Sequence, residues 1–314
     1  GDLLDDVSAS GETLVFVSEG QHARPMLRAA RKAFKGDAAK EARLKRILKQ
    51  IADLETTAAR LFPHEAPATR EAAPPLKVFG FGPGRVELGG ETIPTTAWGS
   101  STARQLFFYM LVHSARSREQ IFADFWPELT PQKAKASFHT TKFRLNRALG
   151  RDAIDYDGRL YMLHPDLKVW FDVAAFRELL EEWRQTEEID VLAKAVELYT
   201  GDFLTECYMD WCEMEREVLR VRCLEALETL AERLLSRRQY RRAIRTLRQA
   251  LTVDPARETF HQQLMRAYAL AGQRSRALAQ YQRCVTSLRE ELGAAPSHVT
   301  TDLYDRIKVE APLD

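Results

Sequence analysis

The alternation of hydrophobic and polar positions predicts short strands around three helices in residues 76–168. LKVFGF from Leu76 alternates, the glycines of FGPG turn the chain into RVEL, and Gly89-Gly90 indicates a hairpin. Apolar periodicity with capping residues predicts helices over Ala103–Val112, Ser117–Phe125 and Pro131–Leu149, the last ended by Gly150. AIDYDGRLYML then predicts a closing hairpin. This order of elements is typical of a winged helix-turn-helix.

From Asp172 onward the pattern is helical almost throughout, and it repeats every 34 residues. The repeat places Cys284 over Ala250, and it aligns further pairs: Leu264 with Leu230, Tyr268 with Leu234, Ala277 with Ala243, and Tyr281 with Leu247. Large residues early, a small alanine in the middle and a proline at the end are typical of tetratricopeptide repeats. A poorer helical pair, Val191–Tyr199 and Asp210–Leu219, is expected to stack ahead of them.

These patterns predict a mainly α protein with a small β component. Residues 1–62 read as a partial helical segment, and the proline- and alanine-rich residues 63–75 as a linker. A winged helix-turn-helix is expected over 76–168 and a tetratricopeptide-like domain over 169–314.

Composition limits the function classes. The 314 residues hold 46 Lys and Arg against 45 Asp and Glu, so any basic surface must arise from local segregation of charge. The four cysteines are too sparse for a disulfide scaffold, and no run of 18 apolar residues exists. We therefore expect a cytoplasmic protein with reduced thiols and no membrane partner.

The third predicted helix carries the strongest functional signal. Residues 131–151 hold six basic residues and no acidic one. At 100° per residue, Ala134, Phe138, Thr141, Leu145 and Leu149 share one face, whereas the opposite face carries Lys133, Ala136, Thr140, Phe143 and Arg147, with His139 and Arg144 on its flanks. Cationic groups interleaved with small and apolar ones suit the phosphates and base edges of a DNA major groove.

The alternative is a solvated basic face. The preceding helix, the following hairpin and the outward Phe143 favour DNA. Arg159 beside the wing turn is a candidate for a minor-groove or phosphate contact, or a plain surface arginine. Arg116 and Arg118 are phosphate candidates with the same alternative.

Enzyme signatures are missing from the sequence. It has no phosphate-binding loop, no H-E-x-x-H motif and no cysteine–histidine cluster at zinc spacing. We therefore expect no catalytic residues, no cofactor and no metal.

A second basic concentration lies in the helical half. Seven arginines stand between residues 233 and 248, against Glu232 alone. This basic ridge could face a DNA backbone, an acidic partner or water, since long cationic side chains commonly cover solvated surfaces.

The motifs resemble the Streptomyces antibiotic regulatory protein (SARP) family. WGSSTARQLFFYML from Trp98, SREQIFADFWPE from Ser117 and RLNRALG from Arg144 are similar to its OmpR-type winged helix. LYTGDFL, DWCEMER, DPARE, LMRAY, RALAQY and LREELGAAPS are similar to its bacterial transcriptional activator domain. The likeness spans about residues 76–307.

The resemblance implies a transcription activator that binds promoter direct repeats, often as a side-by-side homodimer, and recruits RNA polymerase through its sigma factor. It also implies that the third helix reads the major groove, which assigns DNA contacts to Lys133, Lys135, His139, Thr140, Phe143, Arg144 and Arg147. Asn146 and Phe143 depart from the family pattern, which often has a basic residue at the first position and a polar residue at the second. These two departures bear on which DNA sequence is read.

The segment VFVSEGQHARPMLRAA is similar to the end of the sensor region of large MalT-like signal-transduction ATPases. This likeness implies that the chain is the effector end of a longer regulator. A rival function, from another class, is a tetratricopeptide adaptor whose winged helix binds protein rather than DNA.

Overall fold

The computed structural model describes residues 75–313. Contacts divide the chain into two units, Gly1–Ala73 and Pro74–Asp314, and every described residue belongs to the second. The helical segment, nearly all of the linker and the MalT-like stretch predicted above lie outside the described residues.

A four-stranded sheet opens the described part. Strand β1 (Leu76–Phe79) pairs antiparallel with β2 (Arg85–Leu88), and β2 pairs with β3 (Glu91–Thr92), as the glycine turns predict. The fourth strand, β7 (Val169–Phe171), pairs parallel with β1. It follows the closing hairpin in the chain, so the sheet joins the part of the chain before the three helices to the part after them.

Three helices and a second sheet follow. A 3-10 turn (Thr95–Trp98) leads into α1 (Ser101–His113), then β4 (Ala115–Ser117), α2 (Arg118–Phe125) and α3 (Pro131–Leu149). Strands β5 (Ile154–Tyr156) and β6 (Leu160–Leu163) form the predicted hairpin, and β4 pairs with β6. The three predicted helices and the wing are thereby confirmed, and α3 has the predicted bounds.

The local sequence explains where these helices begin and end. Ser117 and Gln120 form a reciprocal capping box at the start of α2, which satisfies two otherwise unpaired N–H groups. Pro131 occupies the first turn of α3, and Gly150 ends it with a left-handed φ of 67°.

The second half is helical, and its helices stack in chain order. Their bounds are α4 (Asp172–Thr186), α5 (Ile189–Leu198), α6 (Asp210–Ser236), α7 (Tyr240–Val253), α8 (Glu258–Leu270), α9 (Arg274–Leu292) and α10 (His298–Lys308). Ala243 and Ala277, the small residues of the repeat, are fully buried where neighbouring helices approach closely. The mainly α fold class with small sheets is confirmed.

The predicted first helical pair is corrected. Asp210–Leu219 is not a separate helix, because α6 continues to Ser236 without a glycine or proline to end it. Helix α5 packs instead on both α4 and α6. The leading pair of the stack is therefore α4 with α5, and α6 belongs to the following pair with α7.

The winged segment and the helical stack share one hydrophobic core. The Trp211 ring at the start of α6 lies 5.3 Å from the ring of Tyr109 on α1 and 6.4 Å from that of Phe125 on α2. The buried Asp172 carboxylate accepts the backbone N–H groups of Gly80 and Phe81 at 2.7 and 3.2 Å. Strand β7 lies just beyond the predicted domain boundary between residues 168 and 169, but it belongs to the first sheet. That boundary stays a prediction.

Candidate nucleic-acid interface

Helix α3 has one buried and one exposed face. Its buried residues are Ala134, Phe138, Thr141, Leu145 and Leu149, which is the apolar set predicted from the helical period. The candidate side chains are all exposed: Lys133, Lys135, His139, Thr140, Phe143, Arg144 and Arg147. The structure therefore brings these seven residues onto one continuous surface.

The charge of this surface is not neutralised locally. Within residues 75–313, no ion pair joins Lys133, Lys135, Arg144 or Arg147 to a carboxylate. Thr130 precedes the helix without a side-chain cap bond, and Pro131 has no N–H. The positive end of the helix dipole adds to the cationic field, so the surface is suited to a polyanion.

The exposed side chains of α3 differ in their exposure and in their local contacts. Phe143 is 65% exposed, which is unusual for a large aromatic ring in a basic patch. The Thr140 hydroxyl donates to the Ala136 carbonyl at 3.0 Å, which leaves its methyl group outermost. The aliphatic stem of Arg144 lies beside Gly99, where an added Cβ would sit 3.6 Å from Arg144 Cδ. Contact with this turn restrains the Arg144 guanidinium.

Arg118 lies at the start of α2 and is exposed. Its guanidinium pairs with Glu119 at 3.1 Å. Arg118 and Lys135 both line a cleft of about 560 Å³ between α2 and the first turns of α3. Arg118 is therefore brought close to the N-terminal half of the α3 surface.

Arg116 has a different setting. It is half-buried on β4, and its Nη2 lies 2.8 Å from Nδ1 of His113 on α1. Burial, followed by the charge of Arg116, lowers the pKa of His113 to about 4, so the imidazole is neutral and its Nδ1 accepts a hydrogen bond from the guanidinium. A phosphate contact by Arg116 stays a prediction, and it would require this bond to break.

Arg159 is exposed at the tip of the wing. The Asp157 carboxylate accepts the backbone N–H groups of Arg159 and Leu160, both at 2.8 Å. These two hydrogen bonds lower the pKa of the Asp157 carboxyl, and the bond from Leu160 has the larger effect. They also hold the turn in shape. Among the contacts described, none joins the Arg159 side chain to α3, so the wing presents it separately.

The wing is fixed to α3 by aromatic contacts. The ring of Tyr161 on β6 lies 4.7 Å from that of Phe138 on the buried face of α3, and 4.5 Å from that of Tyr156 on β5. The wing therefore packs directly against α3. Apolar periodicity identifies Phe138 as buried, but nothing local in the sequence indicates its partner.

Asn146, noted above as a departure from the family pattern, has a structural role. Its amide nitrogen donates to Asp152 at 2.7 Å, and its oxygen accepts the backbone N–H of Ala153 at 3.1 Å. It thereby holds the turn between α3 and β5.

A half-exposed Lys142 extends the basic surface, and its place among the six basic residues was the only sequence signal for it.

Two further features are absent from the described range. No group of three or more His, Cys, Asp or Glu side chains there could hold a metal ion. No helix in the same range is long and apolar enough to cross a membrane.

Comparisons with known proteins define the class. Residues 171–308 match the model of the family described as bacterial transcriptional activator domain. The matched segment corresponds to the helical stack from α4 to α10. This part of the chain is therefore similar to a transcriptional activator domain, and the match indicates a transcription regulator rather than an enzyme.

The fold also has a counterpart among solved structures. The chain is similar to Mycobacterium tuberculosis EmbR, solved in complex with a low affinity phosphopeptide, with a TM-score of 0.55 and 24% sequence identity. The match covers 77% of this chain and 67% of the EmbR chain, and it shows a common fold. A search of curated proteins found no match to the sequence.

Proposed function

We propose that this protein is a sequence-specific, DNA-binding bacterial transcription activator that reads promoter DNA with α3. The observation that carries the proposal is the exposed face of α3, where four unpaired cations surround Phe143 and Thr140 in a helix held between α2 and a wing. The adjoining transcriptional activator domain supports the same function.

The geometry of α3 suits a major groove. Its 19 residues extend about 28 Å, enough to cross the groove and both flanking backbones. Lys133, Lys135, Arg144 and Arg147 supply contacts to phosphates or guanine edges. His139 adds a ring nitrogen, while Phe143 and the Thr140 methyl offer apolar contact to thymine methyl groups.

The remaining candidates contact the flanking backbone. Arg159 at the wing tip reaches a minor groove or phosphate, and Arg118 reaches a phosphate beside the N-terminus of α3. Arg116 does so only by leaving His113. The proposal therefore ranks Arg116 below the other candidates.

The activator domain recruits RNA polymerase through its sigma factor, and two copies bind promoter direct repeats as a homodimer. The family description of residues 171–308 and the SARP resemblance support this part of the proposal. The proposal also implies that the protein acts in the cytoplasm, where bacterial DNA lies.

The test compares promoter DNA with random duplexes of equal length in a gel shift with competitor. Genome-wide binding followed by footprinting then gives the half-site spacing and hence the arrangement of protomers. We expect retention of a promoter sequence against excess competitor. Equal binding to all duplexes, or none, would contradict the proposal and favour the tetratricopeptide adaptor whose winged helix binds protein.

A further inference from the structure

Five of the seven arginines in the basic ridge of residues 233–248 fall into two groups in the structure. Arg233 pairs with Glu187 at 3.3 Å, and Arg242 pairs with Asp190 at 2.7 Å. Both carboxylates lie at or beside the start of α5. These two arginines tie α6 and α7 to the preceding pair of helices, so their role is structural.

A second group lies on the outer face of α7. Arg241, Arg245 and Arg248 are exposed and spaced at i, i+4 and i+7, so they form a line about 10 Å long. Within the described residues, none of the three forms an ion pair. The charge of this line is left for an external partner.

The line borders a groove. Arg248 lies on the α7 side of a groove of about 450 Å³ whose other wall is α9, including Arg283. A second depression, containing Arg241 and Arg245, shares Arg248 and Thr252 with the groove, so the two are continuous. Cationic groups therefore stand on both sides of a single concave surface.

The floor of the groove is built and fixed. His261 donates from Nε2 to the Pro255 carbonyl at 2.9 Å and accepts at Nδ1 from the Gln280 amide at 2.7 Å. Burial lowers the pKa of His261, so the ring stays neutral in this arrangement. Leu264 and Leu251 add apolar surface beside these polar groups.

Besides the arginines, the rim provides uncharged hydrogen-bonding groups. Hydroxyls line it at Thr252, Thr286 and Ser287, and an amide lines it at Gln282. Among the residues that line the groove and the adjoining depression, all of them in the described range, there is no carboxylate. A ligand here meets arginines, hydroxyls and a narrow apolar floor.

We propose that this groove between α7 and α9 binds an acidic peptide segment of a partner protein. Arginine forks recognise carboxylates by paired hydrogen bonds, and the apolar floor accepts an aliphatic side chain between the acidic ones. A duplex is less suitable, because a phosphate backbone touches the rim of such a groove but has no apolar group for its floor. The surface is separate from α3 and does not depend on DNA binding.

The test is fluorescence anisotropy with the full chain and a labelled twelve-residue peptide of Asp and Glu interspersed with Leu. The control peptide has Asn and Gln in place of the acidic residues. We expect the acidic peptide to bind, with an affinity that falls as salt is raised, and the amide peptide to bind at least about tenfold more weakly.

Two double variants with equal loss of charge locate the site. Arg248→Gln with Arg283→Gln removes one cation from each wall, and we expect the dissociation constant to rise about tenfold or more. Arg266→Gln with Arg289→Gln removes two exposed cations that do not line the groove, and we expect a change below about twofold. Circular dichroism melts confirm that both variants are folded.

Three results would overturn the proposal. The acidic peptide fails to bind the unmodified chain, or the amide peptide binds equally well, or both double variants weaken binding to the same extent. A random duplex whose binding is lost only in the groove variant, with peptide binding unchanged, would instead identify the groove as a DNA contact.

Discussion

Replacing Trp211 by alanine tests whether the winged segment and the helical stack unfold together. Trp211 is the first large residue of α6, and only 4% of its surface is exposed. Its ring contacts Tyr109, Phe125 and Phe203, which come from both halves of the structure. The substitution removes the aromatic centre of this junction while leaving the α3 surface unchanged.

The expected cost follows from burial and ring contacts. Truncation of a buried tryptophan costs about 3–5 kcal/mol, because the transfer energy is lost and a cavity remains. Each favourable ring pair adds about 0.5–1.5 kcal/mol to the area term, which places the expected loss toward the upper end of that range. Since a unit of this size loses about 2–4 °C per kcal/mol, the melting temperature should fall by about 10 °C.

The assay is chemical denaturation followed by both far-ultraviolet circular dichroism and tryptophan fluorescence. Trp170→Ala is the matched control, since Trp170 is 41% exposed and has its ring contact with Phe79 at the sheet surface. We expect the control to cost about 1 kcal/mol. A loss below about 1 kcal/mol for Trp211→Ala, or two separate transitions in the unmodified chain, would refute a shared core.

Two further substitutions test particular contacts. Asp172→Ala leaves the buried N–H groups of Gly80 and Phe81 without an acceptor and should cost about 3 kcal/mol, with Asp172→Asn costing less. Burial raises the pKa of Asp172 from 3.8 to about 6. Between these two pH values the native carboxyl therefore keeps a proton that the unfolded chain has already released. The unfolding free energy of the unmodified chain, relative to Asp172→Asn, should therefore fall as pH rises from about 4 to about 6, and parallel pH profiles would count against this. Ala277→Leu should cost about 1–3 kcal/mol in urea denaturation through overpacking at the helix crossing, whereas the exposed Ala279→Leu should be near neutral, and equal costs would contradict the tight crossing.

Helical periodicity predicted much of the structure because it is a local property. The five buried residues of α3 follow from a period of 3.6 residues, and the bounds of α3 follow from Pro131 and Gly150. Strands β4 and β7 were not predicted, since three residues show no alternation and both pair with distant strands. The length of α6 was underestimated because its 27 residues show little net amphipathicity, although they contain no glycine or proline that would end the helix.

The candidate site likewise combines features that the sequence predicts with contacts that it does not. Exposure of Lys133, Phe143 and Arg147 could be predicted from their positions on one helix face. The bond between Arg116 and His113, and that between Asn146 and Asp152, depend on side-chain rotamers and turns that a linear pattern does not encode. The basic ridge likewise looked uniform in the sequence, although Arg233 and Arg242 pair with carboxylates about 50 residues away.

The salt dependence of promoter binding by the unmodified chain and by Arg147→Ala tests the central claim most directly. Arg147 is exposed on α3 without an ion pair in the described part of the chain, and the exposed Arg266 on α8 gives a matched control, Arg266→Ala. If α3 reads DNA, Arg147→Ala should weaken binding about tenfold and reduce the slope of log affinity against log salt by about 0.9, whereas the control should change neither. An unchanged affinity and slope for Arg147→Ala would contradict the assignment of α3 as the DNA-reading helix.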